Sequence, residues 1–185
     1  MECLKRYDFL TQIECDTIVN EILSLESAVK RLGPDEYVGT SEDSLTGRYA
    51  VFNYLNIRSI NTIICPKLKE MFGPCVVQCW ANIFRQDEGI DEHKHIYDKS
   101  TNTALIGSGN IFLYGDPTTG TYYEGVKHDN KVGELSLFPS DMLHGVPKNT
   151  TGDMRISMAI DVHTGDEVLL NDVVSEMPKR FFYIR

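Results

Sequence analysis

Two histidines stand two residues apart in Asp91-Glu92-His93-Lys94-His95. Alternate side chains of an extended chain point to one side, so both imidazoles could face a single metal ion. A third, His144, closes the stretch Leu137-Phe138-Pro139-Ser140-Asp141-Met142-Leu143-His144 and keeps phase with Met142 and Val146. It comes 51 residues after His93 (144 minus 93), far enough for a β-rich chain to fold it back opposite the pair. These residues also have a plainer reading. Histidine pairs occur on exposed strands without a metal, and a histidine among apolar neighbours is commonly a hydrogen-bonded core residue. Spacing leaves both open.

Just beyond lies Arg155-Ile156-Ser157. Arg155 shares a strand face with Ser157 and Ala159, while Ile156, Met158 and Ile160 take the other. An arginine turned into a protein interior needs an anion, because an unpaired buried charge is too costly to keep. Its planar fork matches a carboxylate, to which the Ser157 hydroxyl could add a third hydrogen bond. A salt bridge to Asp161 or Glu134 would satisfy it as well.

The elements that must position these groups are legible in outline. Tyr7 to Leu10 suits a first strand, and Thr11 with Glu14 has the spacing of a capping box. Ile18, Val19, Ile22, Leu25 and Val29 then recur at helical spacing, which predicts an amphipathic helix to about Leu32, stopped by Gly33-Pro34. Asp35 to Gly47 is a long polar loop that could be a lid or a surface excursion. Arg48 to Leu55 could be a strand, and a second helix is expected from about Ser59 to Met71. After Pro74 the period becomes two. Cys75 to Arg85 puts Gln78, Trp80, Asn82 and Phe84 on one face, either lining a polar cavity or facing solvent from an edge. Further strands follow at Ser108 to Tyr114, Thr121 to Val126, Gly133 to Phe138, Met142 to Pro147 and Met154 to Val162, with well-marked turns between. Helices followed by many short strands predict an α+β fold whose β part is a jelly roll. The expected layout is one domain, with helical support over about 11–72, a jelly-roll core over about 75–163 and a tail over 164–185. Within the tail, Leu169-Leu170-Val173-Val174 and Phe181-Phe182-Tyr183 are expected to pack back on the barrel.

Composition narrows the classes. A chain of 185 residues, 42% hydrophobic, can bury one core but not a large second domain. A formal charge of -9 without a run of lysine and arginine argues against long nucleic acid as a partner. No window approaches a membrane span and Met1 to Tyr7 lacks a secretory pattern, so a soluble, cytoplasmic protein is expected. Five cysteines (Cys3, Cys15, Cys65, Cys75, Cys79) without C-x-x-C spacing read as small buried hydrophobes.

Taken together, Trp80-Ala81-Asn82, His93-Lys94-His95, Ser108-Gly109, Gly133-Glu134-Leu135-Ser136-Leu137-Phe138-Pro139-Ser140 running to His144, and Arg155-Ile156-Ser157 resemble a known family. It is that of the iron(II) and 2-oxoglutarate-dependent oxygenases, in particular the small prolyl-hydroxylase-like group and its phage and bacterial relatives. The resemblance spans roughly Val76 to Val162. It implies a double-stranded β-helix, with His93 the first iron ligand, His144 the distal one, and Arg155 with Ser157 the clamp for the far carboxylate of 2-oxoglutarate. Asn82 and Tyr114 become candidate donors to the co-substrate.

One departure matters. The commonest family pattern is His-x-Asp, and this chain has His95 in place of the aspartate. A related subgroup shows His-x-His, and imidazole suits iron(II). His95 is therefore the preferred third ligand, with Asp98 the other candidate and a site without a third protein ligand a further one. The implied chemistry uses Fe(II), 2-oxoglutarate and O2, releases succinate and CO2, and hydroxylates an unactivated C–H bond of a peptide or small molecule. Two other readings use the same residues differently. One is a cupin-like metal-binding barrel, binding or isomerising a small acid or sugar without oxygen chemistry. The other is a structural module with incidental histidines. The sequence is silent on a homodimer.

Overall fold

Thr11 opens the first helix with the expected box: its hydroxyl accepts from Glu14 N–H, and the Glu14 carboxylate accepts from Thr11 N–H at 2.8 Å. In the computed structural model of the chain, residues 4–32, 45–48, 51–95, 105–164 and 180–185 are described. Helix α1 (Gln12–Lys30) and helix α2 (Arg58–Phe72) bury the faces that their apolar spacing marked, among them Ile18, Ile22 and Val29 on α1 and Ile60, Ile64 and Leu68 on α2. Residues 33–44, which hold most of the suspected lid, lie outside the described residues. Leu45–Arg48 is a short 3-10 helix, and so is Tyr54–Asn56. The strand expected at Arg48 to Leu55 is therefore not formed. Asn53 bends the chain there, its side chain accepting from Leu55 N–H and donating to the Val77 carbonyl.

Among the described residues there are ten strands: β1 (Lys5–Asp8), β2 (Cys75–Phe84), β3 (Ile90–His93), β4 (Leu105–Tyr114), β5 (Thr121–Tyr123), β6 (Val126–His128), β7 (Glu134–Phe138), β8 (His144–Val146), β9 (Arg155–Thr164) and β10 (Phe182–Ile184). They form two antiparallel sheets, a six-stranded one in the order β1-β7-β4-β9-β2-β10 and a four-stranded one in the order β3-β8-β5-β6. The single strand expected over Thr121 to Val126 is two, because Glu124 and Gly125 both take positive φ (50° and 74°) and turn the chain into a hairpin. Of the tail, 165–179 lies outside the described residues, while Phe182–Ile184 adds an edge strand to β2.

Register explains how the large sheet has one dry face and one chemical face. Its outer face carries Cys79, Ala81, Ile83, Ile111, Leu135, Ile156, Met158, Ile160 and Val162 into a core shared with both helices. The other face aligns polar side chains in cross-strand rows: Gln78 with Asp161 and Ser108, Asn82 with Ser157 and Phe112, and Phe84 with Arg155. Strand β2 is therefore interior. Its Gln78 and Asn82 are buried, which disposes of the solvent-facing alternative. Gly109 marks where the dry face is tightest, since a Cβ there would lie 2.9–3.0 Å from Leu137, Ile160 and Leu135 side chains. Cys15, Cys75 and Cys79 are buried thiols, as composition suggested, and Cys65 is half-buried.

Candidate metal centre

The small sheet builds half of the site. His93 on β3 stands opposite His144 on β8, and His144 stands opposite Tyr123 on β5, so the three rings form one cross-strand row. A bulge makes this possible. Between Ile90 and His93 the chain advances three residues against two on β8, and the extra residue brings His93 into register with His144. Gly145 lets the strands approach: a Cβ there would meet Glu92 backbone atoms at 3.0 Å and the Ile90 carbonyl at 3.1 Å.

His95 reaches the same point by another route. Strand β3 ends at His93, so simple alternation does not place His95. Its N–H donates to the Ser140 carbonyl (2.9 Å), and its ring Nδ1 donates to Asp161 Oδ1 (2.7 Å), across to the large sheet. Ser108 Oγ–H donates to the same carboxylate oxygen at 2.6 Å and lies 3.0 Å from His95 Nδ1. The ligand atoms of His93, His95 and His144 all lie within 4.8 Å of one another. Their ring centroids are 4.4–5.4 Å apart.

Each imidazole has its far nitrogen engaged. Nδ1 of His93 bonds the Asp91 carbonyl (2.9 Å), Nδ1 of His144 the Met142 carbonyl (3.0 Å), and Nδ1 of His95 the Asp161 carboxylate. Carbonyl and carboxylate oxygens only accept, so Nδ1 carries the proton in all three and Nε2 keeps its lone pair. Burial, reinforced by the two neighbouring rings, pushes the His144 pKa down to about 3. Burial also lowers His93, partly offset by the Asp91 carbonyl. For His93 and His144 the neutral state that a metal requires is thus the resting state at neutral pH. Asp98, the other candidate ligand, lies outside the described residues.

Arg155 is wholly buried and has no acid partner among the described residues. Asp161 faces His95, and Glu134 pairs with Arg6, so neither supplies the salt bridge weighed from sequence. One guanidinium nitrogen donates to Thr121 Oγ1 (3.0 Å), and another lies 3.5 Å from Ser157 Oγ, at the limit of a hydrogen bond. Its Nε has no partner. Phe84 and Phe112 flank the guanidinium carbon, with ring centroids at 5.5 and 5.6 Å. Burial lowers the pKa of this arginine to about 10.

Asn82 is buried beside Ser157, its Oδ1 accepting from Thr46 Oγ1 at 2.5 Å. Thr46 thus ties the 3-10 helix Leu45–Arg48 to the site. Tyr114 does not join it. It follows a β4 bulge, faces Ile156 rather than Ser157, and is 46% exposed. Among the described residues the tyrosine beside the histidines is Tyr123, which sequence reading missed. Its ring stacks near His144 at 6.3 Å between centroids, burial pushes its phenol up to about 12 with Ser136 and Arg155 pulling the other way, and its hydroxyl lacks a well-formed hydrogen bond. Period two within Thr121-Tyr122-Tyr123, with Thr121 and Tyr123 on one face, was the available signal. For Asp161 the signal was its phase with Arg155 and Ser157.

No family model matches the chain, and no curated protein matches its sequence. Solved structures do match in shape. A non-heme monooxygenase, ThoJ, solved as a nickel complex, superposes with a TM-score of 0.58 at 18% identity, over 93% of this chain and 90% of that one. A Pseudomonas putida prolyl-4-hydroxylase gives 0.55 at 18% identity, over 87% and 92%. The epimerase SnoN, in complex with Fe3+, alpha ketoglutarate and nogalamycin RO, gives 0.61 at 10% identity, over 87% and 78%. The chain has a fold of the 2-oxoglutarate and iron(II) oxygenase kind. Its histidine cluster fits metal binding.

Proposed function

We propose that this chain is an iron(II)- and 2-oxoglutarate-dependent dioxygenase that hydroxylates an unactivated C–H bond of a peptide or small molecule. On this reading the two sheets are the halves of a double-stranded β-helix, and the chain is a single catalytic domain supported by α1 and α2. One observation carries it: a buried arginine with no carboxylate partner among the described residues sits on the large sheet's chemical face, held by Thr121, two residues from the Tyr123 ring that stacks near His144 of the histidine cluster. An isolated buried charge is costly to keep without an anionic partner. A ligand carboxylate meets that need.

The residues fit both groups. His93, His95 and His144 would hold iron(II) through Nε2, a donor set chemically suited to that ion. Arg155 would take the far carboxylate of 2-oxoglutarate, with Thr121, Ser157 and the Tyr123 hydroxyl as added donors in the place first assigned to Tyr114. Asn82, its amide oxygen occupied by Thr46, would offer Nδ2 toward the co-substrate. When bound, iron(II) and 2-oxoglutarate supply the oxidising chemistry, consuming O2 and releasing succinate and CO2. The protein's part is to orient the keto acid, keep His93 and His144 neutral, and exclude water with Trp80, Phe84, Phe112 and Phe138 around the site.

The test is anaerobic titration of apo-protein with iron(II) and then 2-oxoglutarate, followed by the weak visible absorption of a keto acid bound to iron(II). The expected band appears in wild type, disappears in His144→Ala and weakens in Arg155→Ala. Iron binding without a band would move the cupin-like reading ahead, and no iron binding would refute the site. Since one structural neighbour is an epimerase, product mass separates outcomes: a gain of one oxygen reports hydroxylation, and an inverted centre at unchanged mass does not.

A further inference from the structure

A non-haem iron(II) site of two histidines and one carboxylate places a negative charge directly on the metal. The cluster here offers three neutral imidazoles instead, because His95 occupies the carboxylate's place in the motif. Yet a buried carboxylate is close by. Asp161 lies on β9 in phase with Arg155 and Ser157, its side chain is wholly buried, and its Oδ1 sits 2.7 Å from His95 Nδ1. Ser108, in register on β4, donates to the same oxygen at 2.6 Å.

From this geometry we infer that Asp161 is the positioning residue of the centre, supplying through the His95 imidazole the negative charge that a directly bound carboxylate would otherwise bring. The inference rests on the metal-site reading above. Asp161 accepts the Nδ1 proton of His95, which fixes the tautomer, turns Nε2 toward His93 and His144, and raises the basicity of that nitrogen. Ser108 keeps the carboxylate from rotating away. This bond is different in kind from its two counterparts, since His93 and His144 lean on neutral backbone carbonyls. The charged anchor falls on the one ligand that strand alternation does not place. His95 follows the end of β3, so its ring is directed by side chains rather than by strand phase, the Asp161 carboxylate at 2.7 Å and the Ser108 hydroxyl at 3.0 Å from Nδ1.

The experiment compares wild type, Asp161→Asn and His144→Ala, full chain in each case, by titration with cobalt(II) or iron(II) alone and by the reduction potential of the iron-loaded form. Asparagine preserves shape and an acceptor oxygen but removes the charge. The expected result is metal affinity weakened about 10–100-fold, with a higher iron(III)/iron(II) potential than wild type. A merely structural carboxylate would leave the potential of the loaded protein unmoved. If wild type binds metal and His144→Ala does not, while Asp161→Asn matches wild type in affinity and potential, Asp161 has no such role and the metal site stands. If wild type itself binds no metal, the site falls and the inference with it. Should Asp161→Asn fail to fold, 15N correlations of the imidazoles in wild type, apo and zinc-loaded, decide the matter. A His95 proton on Nδ1 in both states is expected, and a proton on Nε2 in the apo form overturns the inference.

Discussion

Replacing Arg155 with methionine should leave the empty protein about as stable as wild type while abolishing its response to 2-oxoglutarate. The guanidinium is wholly buried, and burial brings its pKa down from the ordinary arginine value to about 10. At about 1.4 kcal/mol for each pH unit, holding the charged form there costs on the order of 3 kcal/mol. Against that stand the Thr121 hydrogen bond, about 1 kcal/mol, and the contacts with Phe84 and Phe112, about 0.5–1 kcal/mol each. The balance lies within about 1 kcal/mol of zero. Methionine has similar reach and packs well against aromatic rings. For a chain of this size the apo melting temperature of Arg155→Met should therefore stay within roughly 4 °C of wild type. Thermal melts with zinc(II) as an unreactive metal supply the second arm. At about a hundred times its dissociation constant, 2-oxoglutarate should stabilise wild type by roughly 2.7 kcal/mol, or about 5–10 °C, and Arg155→Met hardly at all. An arginine held in a buried ion pair behaves otherwise, its removal costing about 3–5 kcal/mol. A fall of 10 °C or more in the apo variant, or an undiminished shift with 2-oxoglutarate, would refute the reasoning.

Gly145→Ala forces a Cβ onto the β3 backbone at 3.0 Å and so separates His93 from His144; isothermal titration should show metal affinity at least tenfold weaker, with the fold retained by circular dichroism. Thr46→Val releases the Asn82 amide oxygen and should raise the KM for 2-oxoglutarate severalfold at nearly constant kcat, whereas Thr46→Ser should keep both. Acid should destabilise the apo-protein through His144. Its folded pKa of about 3 lies below the ordinary 6.5, so the unfolded chain takes the proton first. Stability is then fully present above pH 6.5 and falls toward pH 3, by on the order of 5 kcal/mol from this group at most. Urea melts between pH 7 and pH 4 should show this slope, and His144→Leu should lose it.

Much of the molecule was readable because its signals are periodic and local. The Thr11 box started α1, apolar spacing marked the buried faces of both helices, and period two exposed β2, β4, β7 and β9, with the correct side-chain faces for β2 and β9. The polar row of Gln78, Trp80, Asn82 and Phe84 was also visible, since alternation depends only on the strand being extended. Short elements were less legible. The 3-10 helices at Leu45–Arg48 and Tyr54–Asn56, the three-residue strand β10 and the break at Glu124-Gly125 are held by side-chain caps, edge pairing and two positive φ values rather than by any repeat.

Residue type and order alone determined that this chain carries three histidines and an arginine able to meet in a β-rich interior. Tertiary structure decided how they meet. A bulge in β3 set His93 against His144, Asp161 and Ser140 rather than strand phase placed His95, and a bulge in β4 turned Tyr114 outward while β5 brought Tyr123 to His144. Whether Arg155 was paired also had to wait, because a salt bridge depends on which side chains a sheet register sets side by side. That register joins residues dozens of positions apart through backbone hydrogen bonds, which carry no mark in the sequence.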